Sequence, residues 1–312
     1  MSHRGVLIVT NEHDVEADLV VRELVRRDHG VVRLNTERFE SWRIAVEPGR
    51  AWTLEGHGRR LHSEGCSGVW WRRPESAATP RDVADEEWAV ICAHQFTLIS
   101  ALQHVDGPRW MSRPSAIRVA DDKARQLVAA AAAGFRVPAT TWTNDVIAAE
   151  QRLVAHGGHG IAKPTATAYW EHDDTSHFVF AHAIGTAGLP RPDSLAPAPL
   201  AFQQRIEAKR DVRVTVVGTA AFAAVTDDAT IDEPDWRLAD TPMWAPYELP
   251  PEIRQRCVLL VADLGLLFAG VDLLVDADGE HWFCELNPNG EWGWLDAAGL
   301  PIAEAIAAEL TQ

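Results

Sequence analysis

The sequence predicts an α/β (α+β) protein whose first lobe is an open α/β layer, and three observations carry that expectation. A β-rich segment at 5–10 (GVLIVT) is followed by Val15, Leu19, Leu24 and Val25 at roughly helical spacing over 15–27, then by a second strand, VVRL, at 31–34. Residues 209–216 alternate strictly, with Lys209, Asp211, Arg213 and Thr215 on one face and Val212, Val214 and Val216 on the other. Residues 268–286 read as two strands joined at Asp278-Gly279, a dipeptide favoured in tight hairpin turns.

The remaining elements follow in order. Strands are expected at 42–46 and 51–55, then through SGVWWRRP at 67–74, followed by a long helix over 83–104 and a strand at WMSR between Pro108 and Pro114. Asp121 is expected to cap a helix running to Ala133, with Gly134 ending it. Strand, helix and strand follow at 137–142, 144–155 and 160–163. The stretch 165–200 is rich in Pro, Thr and Ala and reads as irregular, with a strand-like island at 177–184. Strands near 201–206, 211–217 and 219–226, a helix at 252–264, the hairpin and a helix after Pro301 complete the chain. Three lobes are expected: 1–113, 114–200 with an insertion at 165–182, and 201–312.

Composition narrows the function. The chain has 312 residues, 46% apolar and 24% charged, with 45 acidic against 29 basic residues and a formal charge of −16. That balance argues against a broad nucleic-acid surface, which needs a basic stripe. Cys66, Cys92, Cys257 and Cys284 form no CxxC pair, so a reducing cytoplasm fits better than a disulfide framework or zinc site. The longest apolar stretch, Leu259 to Val275, is broken by Asp263 and Asp272, and no membrane partner is expected.

The hairpin carries the strongest chemical signal. A two-residue type I′ turn at Asp278-Gly279 sets Asp272 opposite Glu285, with Asn287 on the same face and Val271, Leu273 and Val275 on the other. Opposed carboxylates repel unless a cation or proton lies between them. Three hard oxygen donors at this spacing suit Mg²⁺, and an exposed hairpin with solvated acids is the alternative. The charged row at 209–215 reads either as the lining of a cleft, where Arg213 can stabilise a phosphoryl group, or as a salt-bridge ladder on a solvated face. Lys123 and Lys163 are uninformative alone, and the chain has no Walker A loop, GxGxxG, GxSxG or kinase motif.

Six blocks in order give these pieces a common meaning: VWWRRPE, DDKARQL, IAKP, FQQRIEAKRDVRVTVVG, DEPDWR and AGVDLLVDADGEHWFCELNPNGEW. Together they resemble the ATP-grasp superfamily, and within it the maturases of graspetides, the microviridin-type ribosomal peptides with side-chain ester or amide crosslinks. The resemblance implies an ATP-grasp fold with an N-terminal pre-ATP-grasp lobe, ATP and Mg²⁺ as cofactors, a precursor peptide with a leader and an acidic core as partner, and a homodimer. It implies that Lys123 and Lys163 contact the nucleotide and that Gln203, Gln204, Arg205 and Ile206 form the hinge reading adenine. Arg213 acts on the γ-phosphate and substrate carboxylate, with Asp211 nearby and Arg237 assisting, while Asp272, Glu285 and Asn287 hold Mg²⁺. The chain departs from many ATP-grasp ligases at the phosphate lid, where Pro164-Thr165-Ala166-Thr167-Ala168 replaces a glycine-rich loop. Glu171, Asp173 and Asp174 are candidates for leader binding or a solvated loop. Arg72 and Arg73 are candidates for the acidic core peptide or for ion pairs within the chain. The implied reaction activates an Asp or Glu carboxylate as an acyl phosphate, which a Ser or Thr hydroxyl or Lys amine then attacks. The alternatives are a ligase joining an amino acid to a small acid or peptide terminus, as in glutathione synthetase, a nucleotide-binding regulatory module, and a phosphotransferase.

Overall fold

The computed structural model describes residues 4–166, 169–172, 175–227, 232–239 and 243–312. In the first lobe, four parallel strands lie in the spatial order Gly30–Asn35, Gly5–Thr10, Cys66–Trp71 and Arg109–Trp110. Gly5–Thr10 and Cys66–Trp71 are buried along their whole length, which is why they read as continuous rather than alternating apolar runs. The helix Val15–Arg26 starts where Asp14 accepts the Ala17 amide at 3.1 Å, and it packs against the C-terminal helix Ile302–Leu310. A Cβ at Gly68 would collide with the Leu310 backbone, so glycine lets that last helix return onto the first sheet. An antiparallel side sheet holds the expected strands Trp42–Glu47 and Ala51–Gly56 and a third, Arg59–His62, that four mostly polar residues did not announce.

The middle sheet runs His182–Gly185, His159–Pro164, Leu200–Gln203 and Thr140–Thr143, all antiparallel, with the helix Val146–Val154 packed on it. Two expectations are corrected here. The stretch 165–200 is not irregular: it carries a hairpin of Tyr169–His172 with Thr175–Phe178, the strand His182–Gly185 and the short helix Pro192–Leu195. His182–Gly185 is a strand because it pairs with His159–Pro164, a partner that local propensity does not reveal. The expected lobe boundary between 200 and 201 also falls inside the strand Leu200–Gln203, which pairs on both sides within the middle sheet.

The third sheet orders Trp244–Pro246, Ala220–Thr226, Arg210–Val217, Phe268–Val275 and His281–Asn287, again antiparallel. Val212, Val214, Val216, Val271, Leu273 and Val275 point into the largest apolar core, which also takes Ile253, Cys257 and Leu260 from the helix Pro251–Asp263. The alternating valines therefore bury one face of this sheet and leave Arg213 and Asp272 on the other. The helix expected from Asp121 to Ala133 is present as Lys123–Ala132, the second of two helices here, and the first, Pro114–Ala120, precedes it and was not expected. Asp122 rather than Asp121 caps the second, accepting the Ala124 and Arg125 amides at 3.0 and 3.1 Å, and Gly134 follows at φ +87°. The capped helix packs against the strand His281–Asn287, so this segment joins the third sheet rather than the middle one. No helix among the described residues is long and apolar enough to cross a membrane.

Candidate active site

A cleft of about 640 Å³ lies between the middle and third sheets, in the range of small-molecule sites. Its floor is built by register. Arg213 sits opposite Asp272, Asp272 opposite Glu285, and Gly270 opposite Asn287, so three adjacent strands deliver four polar side chains to one place.

The Asp272–Glu285 pairing matches the expected one, but the turn does not. Only Gly279 of the Asp278-Gly279 pair has positive φ, +80°, whereas a type I′ turn needs it at both positions. The connection is instead a wider loop organised by Asp276, whose carboxylate accepts the Asp278 amide at 3.0 Å, the Glu280 amide at 2.9 Å and the Trp282 indole at 2.8 Å. It pairs Leu273 with Phe283, one residue off the expected register. A bulge at Cys284 then restores it, and Cys284 lines the cleft beside Glu285. Burial pushes the Cys284 thiol up to about 11.

Donors surround the two carboxylates. Arg213 Nη1 lies 2.7 Å from both Asp272 oxygens, and Lys123 Nζ is 3.0 Å from Glu285 Oε2. The Asn287 amide reaches Asp272 Oδ2 at 2.9 Å and Glu285 Oε1 at 3.2 Å. The acids are driven apart in proton affinity. Burial raises Asp272 above the usual carboxylate range despite Arg213, with the Glu285 charge adding to the rise. Burial also acts upward on Glu285, but Lys123 and Lys163 outweigh it and hold that group well below its ordinary value.

Lys123 reaches Glu285 because Gln126, one helical turn on, locks its helix to the same strand. The buried Gln126 amide donates to the carbonyls of Ala120 and Leu286 at 2.7 and 2.8 Å, and its oxygen accepts the Leu286 amide at 3.0 Å. Sequence reasoning missed Gln126, although its spacing from Lys123 in DDKARQL puts both on one helix face.

One end of the cleft is lined by Ile161, Lys163, Pro138, Trp142 and the expected hinge residues Gln203, Gln204, Arg205 and Ile206. Gln203 donates to the Thr140 hydroxyl at 2.8 Å, while the Gln204 amide donates to the Ala139 carbonyl at 2.9 Å and its side chain accepts the Ala139 amide at 3.4 Å. Thr165 and Ala166 of the expected lid also line the cleft, and Thr167 and Ala168 lie outside the described residues. The other end carries Asp211, paired with Lys209 at 2.5 Å, and Arg237, held to Asp235 through Nε at 2.8 Å and Nη2 at 2.7 Å. Arg237 lies 5.1 Å from the Phe180 ring and 5.8 Å from that of Trp236. Trp236, Trp244 and Trp294 pack on one another with centroids 4.6–6.2 Å apart, an aromatic wall that three separate segments assemble and no local pattern announces.

The proposed peptide contacts separate. Arg72 is fully buried and paired with Glu16, so of its two expected roles the structure has the ion pair within the chain and not the peptide contact: the strand Cys66–Trp71 carries it into the protein. Arg73 lines the cleft and pairs with Glu291 at 2.8 Å. Glu171 lies on the strand Tyr169–His172, and Asp173 and Asp174 lie outside the described residues.

The floor suits a magnesium nucleotide. The Asn287 amide touches both acids, so the three side chains converge on one point, and turning that amide over offers a third hard oxygen there. Among the described residues no group of three His, Cys, Asp or Glu side chains is arranged to hold a metal. The donor set is two acids and an amide, which leaves remaining positions for phosphate and water oxygens.

Two sheets thus close on one cleft, with paired acids on one wall and Gln203 and Gln204 on the other. No family model matches the chain and no curated protein matches it. Solved structures do match along its whole length. A RiPP-associated ATP-grasp ligase of Chryseobacterium gregarium, in complex with ADP and a leader and core peptide, is 26% identical with a TM-score of 0.87 over 98% of this chain and 96% of that one. The macrocyclase MdnC of Microcystis aeruginosa MRC, bound with precursor peptide MdnA, is 25% identical with a TM-score of 0.85 over 98% of each chain. The macrocyclase MdnB of the same organism is 25% identical at 0.79, over 98% and 99%. The chain thus has the architecture of the RiPP ATP-grasp ligases and macrocyclases.

Proposed function

We propose that the chain is a graspetide-type macrocyclase that activates Asp or Glu side chains of a precursor peptide with ATP and joins them to Ser, Thr or Lys side chains. The observation that carries this reading is the Asp272–Glu285 pair beside Arg213 in a fold shared end to end with a ligase solved with ADP and a leader and core peptide.

In this reading Asp272, Glu285 and Asn287 hold Mg²⁺, which supplies charge neutralisation at the phosphate oxygens. Lys123 exchanges part of its pairing with Glu285 for nucleotide phosphates, Lys163 contacts the nucleotide beside it, and the 203–206 segment receives adenine. Arg213 and Arg237 stabilise the phosphoryl group as a peptide carboxylate oxygen attacks its phosphorus and ADP leaves. The hydroxyl or amine then attacks the acyl carbon, phosphate departs, and the nucleophile's proton passes to solvent or phosphate. Asp211 lines the cleft, but its bond to Lys209 leaves it no clear part as a base. The tryptophan wall and Arg73 suit a peptide carrying both apolar and acidic residues. Glu171, Asp173 and Asp174 belong to the leader-binding part of the proposal, and a homodimer is a separate part of it. A cytoplasmic setting fits four unbridged cysteines.

The test is incubation with ATP, Mg²⁺ and an acidic peptide encoded beside the gene, read by intact mass. Loss of one water per bond with matching ADP supports macrocyclisation. A gain of a residue mass points to an amino-acid ligase, a persistent phosphopeptide to a phosphotransferase, and peptide-independent silence toward ATP to a binding module.

A further inference from the structure

The buried ion pair in the first lobe ends on the loop that holds Arg213. Glu16 Oε1 accepts the amides of Trp292 and Gly293, both at 2.5 Å, while its other oxygen pairs with Arg72. Arg72 Nη1 donates to the Asn289 carbonyl at 2.5 Å, with Asp14 3.8 Å from its Nε and the rings of Trp70 and Phe268 at 5.6 and 5.8 Å. Two residues further along the same loop, the Glu291 carbonyl accepts Arg213 Nη2 at 3.0 Å. The guanidinium is also confined sterically. A Cβ at Gly290 would lie 2.7 Å from Arg213 Nη2, and one at Gly270 would lie 2.8 Å from its Cζ. Gly293 in turn admits Glu16, since a Cβ there would meet the Glu16 side chain at 3.1 Å.

We propose that Glu16 and Arg72 are positioning residues that act through the 289–293 loop to fix the Arg213 guanidinium against the phosphoryl group. A buried ion pair is a weak source of stability compared with an apolar substitute. Its bonds here terminate on the backbone of one loop, and that loop supplies Arg213 with a carbonyl acceptor and a side-chain-free slot at Gly290. The VWWRRPE block thereby gains a task different from peptide contact: its first arginine links the first lobe to the phosphoryl end of the cleft.

The inference rests on the ligase reading, and calorimetric binding of Mg·AMPPNP and Mg·ADP separates the two. Arg213→Ala sets the full loss of preference for the nucleotide with a γ-phosphate. Glu16→Gln keeps the shape but places an amide N–H against Arg72, and Arg72→Lys keeps the charge but loses the reach to both Glu16 and Asn289. Gly290→Ala displaces the guanidinium directly. Each is expected to weaken AMPPNP by roughly tenfold, the worth of one charge-assisted hydrogen bond, with ADP affinity held within about twofold. Thermal midpoints identify the folded variants, and Gly290→Ala tests the loop without touching the buried pair. If AMPPNP and ADP affinities fall together, or the ratio is unchanged in folded variants, the positioning role is overturned. If the unaltered protein binds neither nucleotide, the ligase reading itself fails.

Discussion

On the five-stranded wall of the cleft, Arg213, Asp272, Glu285, Asn287 and Lys123 hold one another through side chains. On the four-stranded wall, Gln203 and Gln204 turn their amides back to the neighbouring strand. The first arrangement makes side-chain identity decisive, because each charged group is buried or half-buried and balanced by a specific partner. The second leaves recognition to backbone groups and to the shape of the slot, so side chains matter mainly for keeping the chain in place. Substitutions on the two walls should therefore differ in size and in kind.

The largest effect belongs to the acids. Asp272→Asn keeps the volume but removes a charge from the proposed metal site, and a cation that stabilises phosphoryl charge is worth several kcal/mol. Peptide-dependent ADP formation should fall by about 1,000-fold, with a normal circular dichroism spectrum. A loss of only about tenfold would erase the contrast between the walls. Removing the metal with a chelator should abolish the same activity, and added Mg²⁺ should restore it in the unaltered protein but not in Asp272→Asn.

The acid pair was legible in the sequence for reasons that were only half right. Period-two alternation and an Asp-Gly signal placed Asp272 opposite Glu285, yet the true loop is wider and a bulge at Cys284 restores the register. Bulges depend on the neighbouring strand and leave no local pattern, so the agreement needed two displacements that cancel. Most strands were readable from apolar patterning. What escaped was set by distant partners: the pairing of His182–Gly185 with His159–Pro164, the burial of Arg72, the lock at Gln126 and the three tryptophans.

Arg237 lies between the walls in character and should give the next effect. Its guanidinium is fixed by Asp235, whose hydrogen bonds raise its already high proton affinity, and by the faces of Phe180 and Trp236, so it is charged and preset. It is half exposed, which reduces the worth of each interaction relative to the less exposed Arg213. Arg237→Ala should lower peptide-dependent turnover by about 10- to 100-fold, with nucleotide affinity nearly unchanged. Equal losses of turnover and ADP affinity would instead move Arg237 to the nucleotide half of the site.

The smallest effect is expected on the hinge. The Gln204 side chain accepts one amide at 3.4 Å, a long bond, while its backbone amide separately donates to Ala139. Gln204→Ala removes only the side-chain bond, and a neutral hydrogen bond contributes about 0.5–1.5 kcal/mol net, so ADP affinity should drop by two- to tenfold. Turnover at saturating ATP should stay the same, because no part of the phosphoryl end moves. A Gln204→Pro variant sharpens the comparison, since it also deletes the backbone donor and fixes φ. If alanine proves as damaging as proline, the hinge works through its side chain, and both walls of the cleft operate by the same rule.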